Sequence, residues 1–161
     1  MVNHQEPNFQ PDFAILVVGS TRALADRLQQ AVAQAGYPDM RPSFGFVIRA
    51  LGETSLTLTQ LAERLGVTKQ AAIKVVDEME AHGFVERRLG QVDRRSKALR
   101  LTERGHGVRR AALAASHRME DELRRDVGDG DVDAMRRVLL RFVERNGGLD
   151  DLNAGRGRPI W

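Results

Sequence analysis

The chain contains no cysteine. Disulfides, cysteine-ligated zinc and thiol redox switches are therefore excluded, and any signal it senses is something other than thiol oxidation. No stretch approaches the roughly 18–20 consecutive apolar residues of a membrane span. The opening MVNHQEPNFQPDF lacks a signal-peptide pattern, so no membrane association is expected and the protein is read as cytoplasmic. Catalytic patterns are missing as well. His4, His82, His106 and His117 are scattered without ligand-like spacing, so neither a metal nor a cofactor is expected. Gly155 and Gly157 neither follow a strand nor open a helix, which rules out a phosphate loop. No internal repeat or low-complexity tract is present, and the protein is not read as an enzyme.

The 161 residues suffice for one domain with a real core, and their 42% apolar and 29% charged content describes a soluble globular chain. Net charge is only +3, so a basic surface has to come from clustering. Residues 84–110 supply it: nine Lys/Arg against Glu86, Asp93 and Glu103 give this window +6 and leave −3 for the rest. A localised positive segment on a mildly acidic molecule is the footprint of a protein that neutralises phosphates on one face, although a solvated charge run has the same composition.

The segment 83–105, GFVERRLGQVDRRSKALRLTERG, joins this charge to a structural pattern. Two short runs, 84–89 and 97–101, flank a loop with Gly90, Asp93 and arginines, which reads as a β-hairpin with a basic tip. Upstream, Thr57 and Gln60 form a T-x-x-Q capping box that opens a helix through Leu65, stopped by Gly66; Thr68 caps another helix to about His82. Helix, turn, helix and hairpin in that order make a winged helix-turn-helix. A short helix is predicted over 42–51. Longer amphipathic ones are predicted over 12–35, from Thr102 to Val127, and from a cap at Asp131 to Gly147.

These define a mainly α fold with a small β-hairpin wing. Residues 1–11 and 148–161 are read as flexible segments, and 12–147 as one domain. Within it, 42–101 is the winged lobe, and 12–36 with 102–147 are dimerisation helices. The long helices carry apolar stripes that the small lobe cannot cover. Either they cover each other across a two-fold axis, making a homodimer, or they fold back on their own core.

On the helix after Thr68, Ala72, Val75, Val76 and Met79 mark the buried side. The opposite side offers Lys69, Gln70 and Lys74 in its first half, and Asp77 and Glu78, which would repel phosphates, in its second. That polarity suits a recognition helix entering the major groove of double-stranded DNA by its N-terminal end. Gln70 can read adenine, Lys69 or Lys74 can reach guanine or phosphate, and Thr68 can donate to a phosphate. Arg94 and Arg95 sit where a wing would cross the adjacent minor groove. Asp93 has the phosphate's own sign and is expected to hold a loop arginine in place. Arg87 and Lys97 are expected backbone contacts.

LTLTQLAERLGVTKQAAIKVVDEMEAHGFVERR followed by DRRSKALRLTERG, with D-x-R at the wing and then L-T-x-x-G, resembles the MarR family of winged-helix transcriptional regulators over about residues 12–147. The resemblance implies six helices with the hairpin between the fourth and fifth. It also implies a homodimer built on the terminal helices, a pseudo-palindromic operator, and insertion of Arg95 into the minor groove. Family members commonly bind small phenolic or anionic effectors in a crevice between the dimerisation and DNA-binding parts. By position, Leu16, Ser20, Phe44, Ile48, His106 and Arg110 are the candidates. The expected function is a dimeric sequence-specific regulator, a repressor released by a small effector. The alternative is a winged-helix protein-interaction module or a sequence-blind architectural DNA-binding protein.

Overall fold

The computed structural model describes residues 11–89, 97–149 and 151. The elements run α1 (Phe13–Gln34), α2 (Pro42–Leu51), β1 (Leu56–Thr57), α3 (Leu58–Leu65), α4 (Lys69–Ala81), β2 (Val85–Leu89), β3 (Lys97–Leu101), α5 (Glu103–Val127) and α6 (Asp129–Arg145). The protein is mainly α with a small antiparallel sheet, as the periodicities predict. The sheet gains a third strand, in the order β1-β3-β2.

Helix starts follow from caps. Asp12 Oδ1 accepts the Ile15 amide at 2.9 Å and opens α1. The capping box ahead of α3 is closed, with the Gln60 amide donating to Thr57 Oγ1 at 3.2 Å and the Thr57 amide to Gln60 Oε1 at 2.9 Å. Gly66, at φ +65°, turns the chain from α3 into α4, a conformation that a β-carbon would strain. Thr68 Oγ1 then accepts the Ala71 amide at 3.2 Å.

One cap differs from expectation. Helix α6 begins at Asp129 with Gly128 as its N-cap, so Asp131 lies in the first turn instead of ahead of it. No side chain caps α6. Its first-turn acids, Asp129 and Asp131, favour the positive end of the helix dipole instead. Arg124 of α5 ties the corner together, donating to Asp129 at 3.2 Å, Asp133 at 2.9 Å and Glu120 at 2.7 Å.

The core lies inside the lobe. Phe44, Val47, Ile48 and Leu51 of α2 meet Leu61 and Leu65 of α3, Val76 and Met79 of α4, and Phe84, Val85, Leu99 and Leu101 around the sheet. The rings of Phe44 and Phe84 meet edge-on, with centroids 6.1 Å apart. Val108 of α5 and Val32 of α1 close this core from the other side. The start of α5 is fastened to the turn that follows α4: Thr102 Oγ1 donates to the Gly83 carbonyl at 2.6 Å, and the Thr102 amide to the Phe84 carbonyl at 3.1 Å. A β-carbon at Gly105 would overlap that same Phe84 carbonyl, so glycine lets α5 lie directly on the turn. This is the physical content of the L-T-x-x-G motif.

The terminal helices behave differently. All thirteen large apolar side chains that are exposed among the described residues lie on α1, α5 or α6, from Phe13, Leu16 and Val18 to Val138, Leu139 and Phe142. Helix α1 runs against α5, and its first residue meets the far end of α6 through the Phe13 and Phe142 rings, 6.2 Å apart. No helix among the described residues is long and apolar enough to cross a membrane.

Candidate nucleic-acid interface

Helix α4 turns Ala72, Val76 and Met79 into the core, with Val75 partly buried. Thr68, Lys69, Gln70, Lys74 and Asp77 are exposed, which places the first four together at the N-terminal half. Thr68 is committed to capping through its oxygen and keeps its hydroxyl proton to donate. Lys69 and Lys74 form no ion pair with the described residues.

The acids of α4 are all engaged from outside the helix. Glu78 accepts from Arg41, the residue before α2, at 2.8 Å. Asp77 and Glu80 share Arg87 of β2: one terminal nitrogen donates to Asp77 at 2.5 Å and the other to Glu80. These contacts hold the Arg87 pKa above its ordinary value, the hydrogen bond to Asp77 being the largest cause. The half of α4 expected to repel phosphates thus has its three carboxylates met by two guanidiniums, which leaves one negative charge of three, and its other half retains two lysines unpaired among the described residues.

The same pairing revises the charge of residues 84–110. Five of the nine cations there meet carboxylates: Arg87 as above, Arg88 with Glu86, Arg104 with Asp39, Arg109 with Glu53 and Arg110 with Glu103. The window is therefore less of a free basic patch than its +6 suggests, because Asp39, Glu53, Asp77 and Glu80 fold in from outside it. Arg100 on β3 is exposed and forms no ion pair among the described residues.

Asp93, Arg94 and Arg95 lie outside the described residues. Lys97 begins β3, paired in register with Leu89. Arg87 lies opposite Leu99 and shares the alternation of Val85, both of which are buried. Its guanidinium consequently meets α4 and is already occupied, where sequence reasoning expected a DNA backbone contact. Period-two alternation from Val85 is the signal that could have revealed this. Nothing in the sequence points to Arg41, since its partner is distant along the chain.

The effector candidates do not form one set. Phe44 and Ile48 are core residues with almost no exposure. Leu16 and Ser20 are exposed on α1, and Arg110 is exposed and paired with Glu103 at 2.7 Å. His106 is the one with a polar junction around it: its Nδ1 lies 3.8 Å from Glu53, which also accepts from Arg109 at 2.5 Å.

A family model described as MarR family matches residues 45–96, from within α2 to the residue before β3. Among curated proteins, the chain is 30% identical over 91 residues to the transcriptional repressor MprA of Escherichia coli, covering 56% of this chain and 52% of that protein. It is 37% identical over 92 residues to the HTH-type transcriptional regulator PetP of Rhodobacter capsulatus, covering 57% and 55%. The match thus spans about half the length of these relatives. The fold is similar to that of the reduced form of MarR from E. coli, with a TM-score of 0.66 at 18% identity over 84% of this chain and 99% of that one. It is also similar to that of the transcriptional repressor CouR bound to a 23-mer DNA duplex, with a TM-score of 0.62 at 22% identity over 82% and 92%. Capped helices, a recognition-type helix and a hairpin in this order, matched by sequence and by fold, place the chain in the MarR family.

Proposed function

We propose that this protein is a homodimeric, sequence-specific DNA-binding transcriptional regulator, a repressor of a pseudo-palindromic operator that a small effector releases. The observation that carries the reading is the charge distribution on α4. Its carboxylates are largely offset by Arg41 and Arg87, while Lys69, Gln70 and Lys74 stand exposed at the end that a recognition helix presents to base edges. In this reading residues 42–101 are the DNA-binding lobe, with Arg94 and Arg95 reaching the minor groove and Asp93 holding the loop. The segments 12–36 and 102–147 form the dimer.

A second copy is the natural cover for the terminal helices. Among the described residues the exposed large apolar side chains are confined to those helices and none lies on the lobe, which supports an isologous interface. Dimerisation sets the distance between the two copies of α4, which have to sit about one helical turn (~34 Å) apart to dock together. The attachment of Thr102 and Gly105 to the turn after α4 supplies a mechanical link: a shift of α5 carries α4 with it. An effector acts on such a system only by binding the two arrangements with different affinity. The CouR structure, with its DNA duplex, supports duplex DNA as the partner.

The test is selection of bound sites from random duplex DNA by the purified protein near physiological salt. Recovery of a two-fold-symmetric site bound by one dimer is the expected result. Sequence-blind, salt-sensitive binding would leave an architectural role, and no duplex binding would favour a protein-interaction module.

A further inference from the structure

We infer that Arg87 is a positioning residue: it braces the root of the hairpin against α4 by bridging Asp77 and Glu80, and thereby sets how wing and recognition helix meet DNA together without itself touching a phosphate. The inference rests on the DNA-binding reading above and adds to it a fixed joint between the two reading elements.

Three observations converge on it. The first is register. Arg87 lies opposite Leu99 and two residues after Val85, both buried, so its stem belongs to the face of the sheet that α4 covers. The second is the geometry of the fork. Asp77 and Glu80 are three residues apart, hence neighbours on one side of α4, and the two terminal nitrogens of one guanidinium each serve one of them. A lysine has no second arm for this. The third is charge. Were Arg87 to swing out to a phosphate, it would leave two uncompensated carboxylates beside the DNA; in place, it halves their charge. Its side chain is 26% exposed, the least of the three partners, which fits a group held between elements.

The brace also sits at a defined level of the sheet. Strand β1 pairs with β3 at Leu56 and Thr57, opposite Leu99 and Ala98, the same two residues that face Arg87 and Arg88 of β2. Arg87 therefore lies in the three-stranded part of the sheet, and among the described residues only the Leu89–Lys97 pair lies beyond β1 at that end. A cross-link from β2 to α4 at this point fixes the three-stranded part of the sheet against the helix.

The experiment is a cycle on the full-length protein using the operator recovered by site selection: wild type, Arg87→Met, Asp77→Asn with Glu80→Gln, and all three changes together. Affinity is measured across salt, and amide hydrogen exchange of residues 85–89 and 97–101 is measured without DNA. A brace predicts that Arg87→Met weakens operator binding about three- to tenfold, the scale of one coupled ion-pair network. It further predicts an unchanged slope of log affinity against log salt, and no further loss when Arg87→Met is added to the Asn/Gln background. Exchange in both strands rises in Arg87→Met and in the Asn/Gln variant alike. Arg87→Lys, which keeps the charge and loses the fork, falls between wild type and Arg87→Met.

A slope reduced by about 0.9 per protomer, with the loss persisting in the Asn/Gln background, would make Arg87 a phosphate contact and overturn the inference. Unchanged strand exchange would overturn it as well. Wild-type protein that selects no duplex would overturn the DNA-binding reading and the positioning role built on it, whereas raised exchange in the variants would still establish the brace.

Discussion

The Tyr37 hydroxyl lies over the α-carbon of Gly107, in the space that a β-carbon there would need. Tyr37 belongs to the connection between α1 and α2, and the Arg104 guanidinium sits 5.7 Å from its ring centre and 4.9 Å from that of Phe84. One aromatic side chain thus seats the α1–α2 connection on α5, next to the point where Gly105 meets the Phe84 carbonyl. Gly107→Ala is expected to destabilise the fold by about 1–3 kcal/mol, the usual cost of overpacking. Tyr37→Ala should suppress that added cost, so that the double variant is no less stable than Tyr37→Ala alone. Gly105→Ala should cost at least as much and find no such rescue, because its obstacle is backbone. Urea denaturation of the set checks both statements; equal, small effects at the two glycines would show that α5 is not seated as closely as described.

Charge on α4 separates readers from anchors. Lys74 is exposed and forms no ion pair among the described residues, so Lys74→Ala should weaken binding to all duplexes similarly and reduce the salt slope by about 0.9 per protomer if it meets a phosphate. Gln70→Ala should act otherwise, costing about 1–3 kcal/mol of discrimination at one base pair of each half-site while leaving the slope unchanged. Competition between the selected operator and single-base variants of it measures the difference. Loss of affinity without loss of discrimination for Gln70→Ala would remove it from direct readout.

Much of this fold is legible locally. Caps at Thr57, Thr68 and Thr102 announce helix starts through one oxygen and an amide three residues on, a relation written in the sequence itself. Strand β1 is not legible: Leu56 and Thr57 carry no periodicity, and they become a strand only because β3 lies alongside. The start of α6 was misplaced because an aspartate after glycine resembles a cap, whereas Arg124, five residues earlier than Asp129, organises the corner through space. The candidate interface shows the same division. Exposure of Lys69, Gln70 and Lys74 follows from helical phase. The partial neutralisation of Asp77, Glu78 and Glu80, and with it the role of Arg87, depends on which distant element lies next to α4, whereas composition counts Arg87 as part of a free patch.

The α5–α6 corner gives a pH-dependent prediction. Hydrogen bonds from Arg124 chiefly, with further help from Arg136, hold the Glu120 carboxyl below its ordinary value of 4.5. A depressed carboxyl contributes stability that is complete above its unfolded-state pKa and is lost as pH falls through the folded-state value. Glu120→Gln should therefore lower the thermal midpoint around pH 6–7, with a gap to wild type that stays constant down to about pH 5 and closes below about pH 4.5. The Glu120 side chain is 35% exposed, so the gap should also narrow with added salt. A gap unaltered through the acid range would mean that Glu120 acts by packing and not by charge.

Dimerisation is tested on α6, where Phe142 is 56% exposed and abuts Phe13 at the opposite end of the three-helix surface. If a second copy covers this ridge, Phe142→Asp inserts a charge into an apolar contact that the two-fold axis presents twice. Burying one such side chain contributes about 1.5–3 kcal/mol, so losing it in both protomers should raise the dimer dissociation constant by about a hundredfold or more. Sedimentation equilibrium should find monomer at concentrations where the wild type is dimeric, with helical content retained because the lobe core does not include Phe142. Operator affinity should fall in parallel with dimer loss, since one α4 then reads one half-site alone. A monomeric wild type would instead require the terminal helices to be covered by another partner, and an unchanged dimer in Phe142→Asp would move the interface away from this end of α6. Binding to a single half-site separates the two contributions. It should be the same for wild type and Phe142→Asp, because the substitution uncouples the two reading helices and leaves each helix as it was.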